Sequence, residues 1–352
     1  MGSERYQDLS DEEVVVAIEE VRGRLGDKVT ILGHHYQRDE VIEFADYRGD
    51  SLALSRRAAQ AEKARYIVFC GVYFMAETAA ILCKPEQQVV QPVMEALCPM
   101  ARMASAAQAE VAWSALTSVW GDDVVPITYQ NSVGELKAFV GERGGSVCTS
   151  SNAERLFAWG FERKNHILFM PDQHLGTNSA LAMGIPEEEI GVWNPADPPD
   201  PQTLASCRVV VWKGHCYVHT GFTVKDVESI RDDYPDALIV VHPECRHEVV
   251  AVSDATGSTA GILEYVDKAP AGSTIGVGTE WHFVNRLQHE YRNKNVIALQ
   301  HRECRDMAMT RMRDLLYALE SLERGEPHNV LSVDEENAKW AGVALERMLE
   351  AS

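Results

Sequence analysis

The stretch YIVFCGVYFMAETAAILCKPEQQVVQPV, residues 66–93, reads as a strand, a helix and a second strand. Its two ends, YIVFC (66–70) and QVVQPV (88–93), are short apolar runs rich in β-branched residues. YFMAETAAIL (73–82) between them suits a crossover helix. Strands joined through helices in this way build parallel sheets. The alternation continues in both directions. Further strand-like runs are VTILG (29–33), VVPIT (124–128), SVCT (146–149), ILFM (167–170), VVVW (209–212), ALIVV (237–241), TIGVG (274–278) and NVIAL (295–299). Helical stretches fit between them: GDSLALSRRAAQAEKA, VGELKAFVGER, SNAERLFAW, TVKDVESIRDDY and TAGILEYVDK, with two more near 305–323 and 333–350. The expected fold class is α/β with short parallel sheets, and the Pro-rich NPADPPDPQ (194–202) is a surface loop.

With 352 residues, 45% of them hydrophobic, the chain is long enough for two or three small domains. Lys and Arg total 33 against 53 Asp and Glu, and a net charge of -20 repels nucleic acid and anionic membrane surfaces. No run approaches the roughly 20 apolar residues of a membrane span. MGSERYQDLS carries no secretory or myristoylation signal, so a cytoplasmic protein is expected. Eight cysteines in a chain of this size do not make a disulfide framework; they are thiols, either metal ligands or small core residues.

The residues after the strands carry the chemistry. GHHYQ, CGVYFMAET, TYQNS, CTSSN, MPDQHLG, GHCYVH, HPEC and GTE lead off the strand C-terminal ends, and in open parallel sheets that edge is where ligands bind. Cys98, Cys216 and Cys304 each stand five residues past a strand-run position, Val93, Val211 and Leu299, at intervals of 118 and 88 residues. Three similar domains, each ending in a cysteine, would bring distant thiolates to one centre. Such scattered ligands exclude a zinc ribbon and suit an iron-sulfur cluster, which three thiolates leave with one open iron. The offset alone does not choose the triple: Cys245 lies four past Val241, and all eight could be buried apolar residues.

Other strand-end residues have both a chemical and a plain reading. His219 follows Cys216 by three, a metal-like pair or a proton donor. His242 and Glu244 alternate on an extended segment, which suits acid-base work or a surface ion pair. His34 with Tyr36, and Tyr129 with Asn131, alternate likewise. Ser51, Ser150 or Ser151, and Ser258 with Thr259 stand where helices begin, as caps or as anion-binding sites. There is no GxGxxG or Walker sequence to support a nucleotide cofactor.

Taken in order, ILGHHYQ, GDSLALS, FCGVYFMAET, ALCPMARM, TYQNS, CTSSNA, MPDQHLG, WKGHCYVH, PDALIVVHPEC, ATGST, GTE and the C-R-D-M around Cys304 resemble the motif series of the quinolinate synthase family, over about residues 28–310. The resemblance implies three pseudo-symmetric α/β/α sandwich domains around a central 4Fe-4S cluster held by Cys98, Cys216 and Cys304. The domains would span 1–97, 98–215 and 216–304, with helices in 305–352 packed on the first. It implies condensation of iminoaspartate with dihydroxyacetone phosphate to quinolinate, with release of phosphate and water, for NAD biosynthesis. L-aspartate oxidase would be the source of iminoaspartate, and the enzyme, a transferase, would be a monomer or homodimer. Tyr36, His219, His242 and Glu244 become the catalytic candidates. His34, Ser51, Tyr129, Asn131, Ser150, Ser258 and Thr259 become the substrate-binding ones. His35 departs from a common Asn, 103–121 is long, GTEWHF differs after TE, and a cysteine-rich C-terminal signature is missing. The rival readings are an iron-sulfur hydro-lyase and a non-enzymatic redox protein with a four-ligand cluster.

Overall fold

The computed structural model describes residues 3–61 and 63–351. Met1, Gly2 and Ser352, from the ends of the chain, and Glu62, from the expected helix at 49–64, lie outside the described residues. Along the chain the elements run α1 (Asp11–Leu25), β1 (Val29–His34), α2 (Asp39–Ile42), β2 (Tyr47–Gly49), α3 (Ser51–Gln60), β3 (Tyr66–Cys70), α4 (Tyr73–Leu82) and β4 (Gln88–Val90). Then come α5 (Ala106–Trp120), β5 (Val124–Tyr129), α6 (Gly134–Glu142), β6 (Ser146–Cys148), α7 (Ala153–Phe161), β7 (His166–Met170), α8 (Gln173–Ala182), β8 (Ile190–Trp193) and β9 (Val209–Trp212). A third run holds α9 (Val224–Asp233), β10 (Leu238–Val241), α10 (His247–Ala251), β11 (Ala255–Thr256), α11 (Thr259–Lys268), β12 (Thr274–Gly278), α12 (Trp281–Glu290) and β13 (Asn295–Ala298). The chain closes with α13 (Met312–Glu323) and α14 (Glu335–Glu350).

Every strand pair is parallel, as the continuous apolar runs require: all five residues of β3 and all six of β5 are buried. Among the described residues three sheets result, in the orders β2-β1-β3-β4, β6-β5-β7-β9-β8 and β11-β10-β12-β13. The first and third have the same element order, down to an aspartate that serves each alike. Asp46 Oδ2 accepts from the Ile31 amide at 2.7 Å, and Asp254 Oδ2 from the Ile239 amide at 2.7 Å. Each sheet reverses its winding at its inner strands, between β1 and β3, β5 and β7, and β10 and β12, and at such a reversal the strand C-termini leave a crevice.

The chain divides into two compact units. The first holds residues 1–98 and 303–333. Its core joins Val14, Ile18 and Val21 of α1 to Ile31 and Val68 of the sheet and to Leu315 and Leu319 of α13. The second holds residues 99–302 and 334–352, with the other two sheets. Under the third sheet Phe222, Val227, Ile239, Val241, Val249 and Leu299 form one apolar cluster. Of the C-terminal tail, α13 therefore belongs with the first unit, while α14 lies along α6 and β6 in the second.

The α6–α14 contact depends on one missing side chain. A Cβ at Gly141 would stand 1.9 Å from the Trp340 carbonyl oxygen, which is backbone and cannot turn aside. Gly141→Ala is therefore expected to cost about 1–3 kcal/mol through overpacking. A lowered thermal midpoint measures this, and an unchanged midpoint would mean that α14 is not seated there.

The strand-run offset shared by Cys98, Cys216 and Cys304 does not survive in the folded strands. β4, β9 and β13 end at Val90, Trp212 and Ala298, so the loops before the cysteines differ in length. The apolar stretch near residue 90 ends earlier than its composition implies because Pro92 cannot donate to the ladder.

Candidate active site

His34 ends β1 and His242 directly follows the equivalent β10, and the chain folds back in the same way at both. The Tyr36 amide donates to His34 Nδ1 at 3.1 Å, and the Glu244 amide to His242 Nδ1 at 3.3 Å. The chain turns at once in both places, Gln37 N to His34 O at 2.9 Å and Cys245 N to His242 O at 3.0 Å. HPEC is thus a turn and not the extended segment expected of it. The turn, rather than a two-residue alternation, brings His242 and Glu244 together. In the first unit His34 is buried against the half-buried Tyr36, their rings edge to face with centroids 4.8 Å apart.

The second unit assembles most of the other expected residues. Glu244 is 2% exposed. Tyr129 Oη donates to its Oε1 at 2.6 Å, and His219 Nδ1 lies 2.9 Å from its Oε2. The other nitrogen of His219 meets Thr279 Oγ1 at 3.0 Å, and the His242 ring stacks on the His219 ring at 4.2 Å. Burial raises the Glu244 pKa, but the two imidazoles and the hydrogen bonds from His219 and Tyr129 outweigh it and hold the carboxyl below the usual range. Burial, with His219 beside it, lowers the His242 pKa to about 3, so at neutral pH His242 is a neutral ring that accepts at Nδ1. Cys216 Sγ completes a group with His219 and Glu244 whose ligand atoms all lie within 4.8 Å of one another, a set able to hold a metal.

His242 sets a pH dependence. Above pH 6.5 its ring is neutral both folded and unfolded; below that the unfolded ring takes up a proton that the folded one refuses until about pH 3. Stability therefore falls as pH drops through this window. His242→Asn should flatten the decline of the thermal midpoint below pH 6.5, and an unaltered decline would place the acid sensitivity elsewhere.

Three contributors went unnoticed in the sequence. Asp172, fully buried after β7, accepts from the Leu175 amide at 2.6 Å. Burial, then the charge of Glu244, pushes its carboxyl well above the usual range, against the amides of Leu175, His174 and Cys216. One carboxyl is thus shifted toward its protonated form near one shifted toward its ionised form, the kind of separation that divides acid from base in active sites. Thr279 orients His219, and Asn178 touches the loop of Glu244. The strand-end motifs MPDQHLG and GTE were the available signals for Asp172 and Thr279.

Ser51, Ser258 and Thr259 stand at helix starts as expected, whereas Ser150 and Ser151 do not. Ser258 caps α11 by accepting from the Gly261 amide at 3.2 Å, and Thr259 is the buried first residue of that helix. Asp50, not Ser51, caps α3, and Asn152 precedes α7, so Ser150 and Ser151 stand in the approach to the helix. Ser151 Oγ donates to Ser258 Oγ at 2.9 Å. Ser150, Ser151 and Ser258 line a cavity of about 370 Å³ together with Asn178 and Pro243. Asn131, in the turn after β5, buries an amide oxygen that has no hydrogen-bond partner among the described residues, as a ligand-facing group would.

All eight cysteines are thiols. Cys70, Cys148, Cys207 and Cys245 are buried, and burial raises their pKa values, that of Cys70 to about 12. Cys83, Cys98, Cys216 and Cys304 are partly exposed. The Cys83 thiol, its pKa raised by burial, donates to the Ala80 carbonyl at 3.4 Å. Cys98 and Cys304 belong to the first unit and Cys216 to the second.

A parallel α/β protein with a buried Tyr, His and Glu network at its strand C-termini has the construction of an enzyme. Residues 17–350 match the family described as Quinolinate synthetase A protein, and the chain belongs to that family. It is similar to proteins named quinolinate synthase from Bacillus cereus (strain AH187), Bacillus anthracis and Bacillus thuringiensis (strain Al Hakam). Each is 46% identical over 360 aligned residues, covering 99% of this chain and 96% of the relative. No helix among the described residues is long and apolar enough to cross a membrane.

Proposed function

We propose that the chain is a quinolinate synthase, a transferase that condenses iminoaspartate with dihydroxyacetone phosphate to quinolinate and releases phosphate and water, in NAD biosynthesis. The observation that carries this reading is the 46% identity to quinolinate synthases along 99% of the chain. The reading includes a cytoplasmic location and L-aspartate oxidase as the source of iminoaspartate. It keeps three α/β domains over 1–97, 98–215 and 216–304.

Cys98, Cys216 and Cys304 are the proposed ligands of a 4Fe-4S cluster. The thiols fit: these three are partly exposed, whereas burial disfavours thiolates at Cys70, Cys148, Cys207 and Cys245, and Cys83 is engaged with its own helix. A cluster held by three thiolates supplies an open iron that acts as a Lewis acid.

The protein's own groups then have separable tasks. Glu244, ionised and fixed by Tyr129 and His219, accepts protons at its carboxylate during triose isomerisation and dehydration. His219, bonded to Glu244 through Nδ1, relays a proton along that bond, and neutral His242 supports it from the stacked side. Tyr36 is the remaining catalytic candidate. His34, Tyr129 and Asn131 bind substrate. Ser51, Ser150, Ser258 and Thr259 receive its phosphate or carboxylate groups, with the amides at the starts of α3 and α11 adding donors. Product analysis tests the reading: quinolinate should form only when both substrates are supplied. Hydration or dehydration of a hydroxy acid in its place would favour the hydro-lyase.

A further inference from the structure

We infer that Asn178, clamped between α8 and the HPEC turn, is a positioning residue that sets the catalytic geometry of Glu244, an inference that rests on the acid-base role proposed for that carboxylate. Asn178 is 6% exposed and sits in the middle of α8. Its Nδ2 donates to the carbonyls of Pro243 and Cys245, both at 2.8 Å, and its Oδ1 meets His247 Nδ1 at 2.9 Å. Both amide hydrogens and the amide oxygen are engaged. The orientation of the group is therefore forced, since the flipped amide would set its oxygen against two carbonyls.

Pro243 and Cys245 are the residues on either side of Glu244, so the clamp grips the chain immediately before and after the carboxylate. Pro243 restricts φ by itself, the Glu244 amide is tied to His242 Nδ1 and the Cys245 amide to the His242 carbonyl, and the Asn178 bonds add a restraint on the two flanking carbonyls. Asp172 caps the same helix, its carboxyl oxygen accepting from the Leu175 amide at 2.6 Å. A helix thus sets the turn that carries the carboxylate. A small displacement of a reacting group is costly in rate even when substrate still binds.

Asn178→Asp tests this, because it keeps the volume and the acceptor for His247 but turns oxygen lone pairs toward both carbonyls. The expected result is a fall of at least tenfold in kcat for quinolinate formation, with KM for dihydroxyacetone phosphate within twofold and iron content unchanged. Hydrogen exchange of the 242–251 segment should be at least tenfold faster. In a Glu244→Gln background the same substitution should change the rate by less than twofold, since its effect passes through Glu244. A wild-type kcat with wild-type exchange, or a full multiplicative loss on top of Glu244→Gln, would overturn the inference. Should the Asp variant fail to fold, Asn178→Ser, which opens onto the neighbouring cavity, decides by the same criteria. Exchange needs no turnover, so a wild-type protein that makes no quinolinate defeats the functional reading alone and leaves exchange to decide on Asn178.

Discussion

Glu244→Gln should leave the protein folded and with its full iron content while slowing quinolinate formation by roughly 10²–10⁴-fold, the usual loss for one acid-base group. The substitution is nearly isosteric. Tyr129 can still donate to the amide oxygen, so the buried turn keeps a partner. What goes is the negative charge that His219 faces at 2.9 Å, and with it the capacity to take up a proton. Turnover and the visible spectrum, measured on one sample, separate the two effects. Near-normal turnover with normal iron would make Glu244 a scaffold residue. Loss of iron and fold together would make the buried charge structural, and Glu244→Asp, which retains the acid, should then restore folding before it restores rate.

The second large effect concerns the cysteines. Cys98→Ala, Cys216→Ala and Cys304→Ala should each abolish the cluster absorbance and bring activity to background, because no other partly exposed thiol is available except Cys83, which ends α4. Cys245→Ala should keep both. Cys245 is fully buried, its thiol is 3.9 Å from the Gly278 carbonyl, and burial holds it protonated. Iron lost from Cys245→Ala and kept by Cys216→Ala would reverse the assignment.

The sequence reveals the interior strands and hides three of the six edge strands for a physical reason. β3, β5 and β12 lie between neighbours and under helices, so burial selects apolar runs with many β-branched residues. β2, β8 and β11 end their sheets and need no such run; in β2, Tyr47 and Arg48 are exposed. α8 was missed because its middle, GTNS, has no strong helix former. Its small and polar residues have other uses. A Cβ at Gly176 would stand 2.5 Å from the Phe169 ring, and Asn178 grips the HPEC turn.

Much of the candidate site could be read from the strand-end motifs, since polar residues in otherwise apolar surroundings stand out. His219, His242, Glu244 and Tyr129 were singled out this way, and they meet in one buried network. Asp172 and Thr279 sat in quoted motifs without distinction. An aspartate after a strand looks like a helix cap, which Asp172 also is, and only the fold shows its carboxyl to be buried under the charge of Glu244.

The most direct measurement of the central claim is quinolinate formation by anaerobically purified protein supplied with dihydroxyacetone phosphate and freshly generated iminoaspartate, with iron and sulfide counted on the same sample. Four irons and four sulfides per chain, product that requires both substrates, and loss of both absorbance and activity on exposure to air are the expected results. Full activity after aerobic handling and complete iron chelation, or a fully loaded protein that makes no quinolinate, would contradict the account.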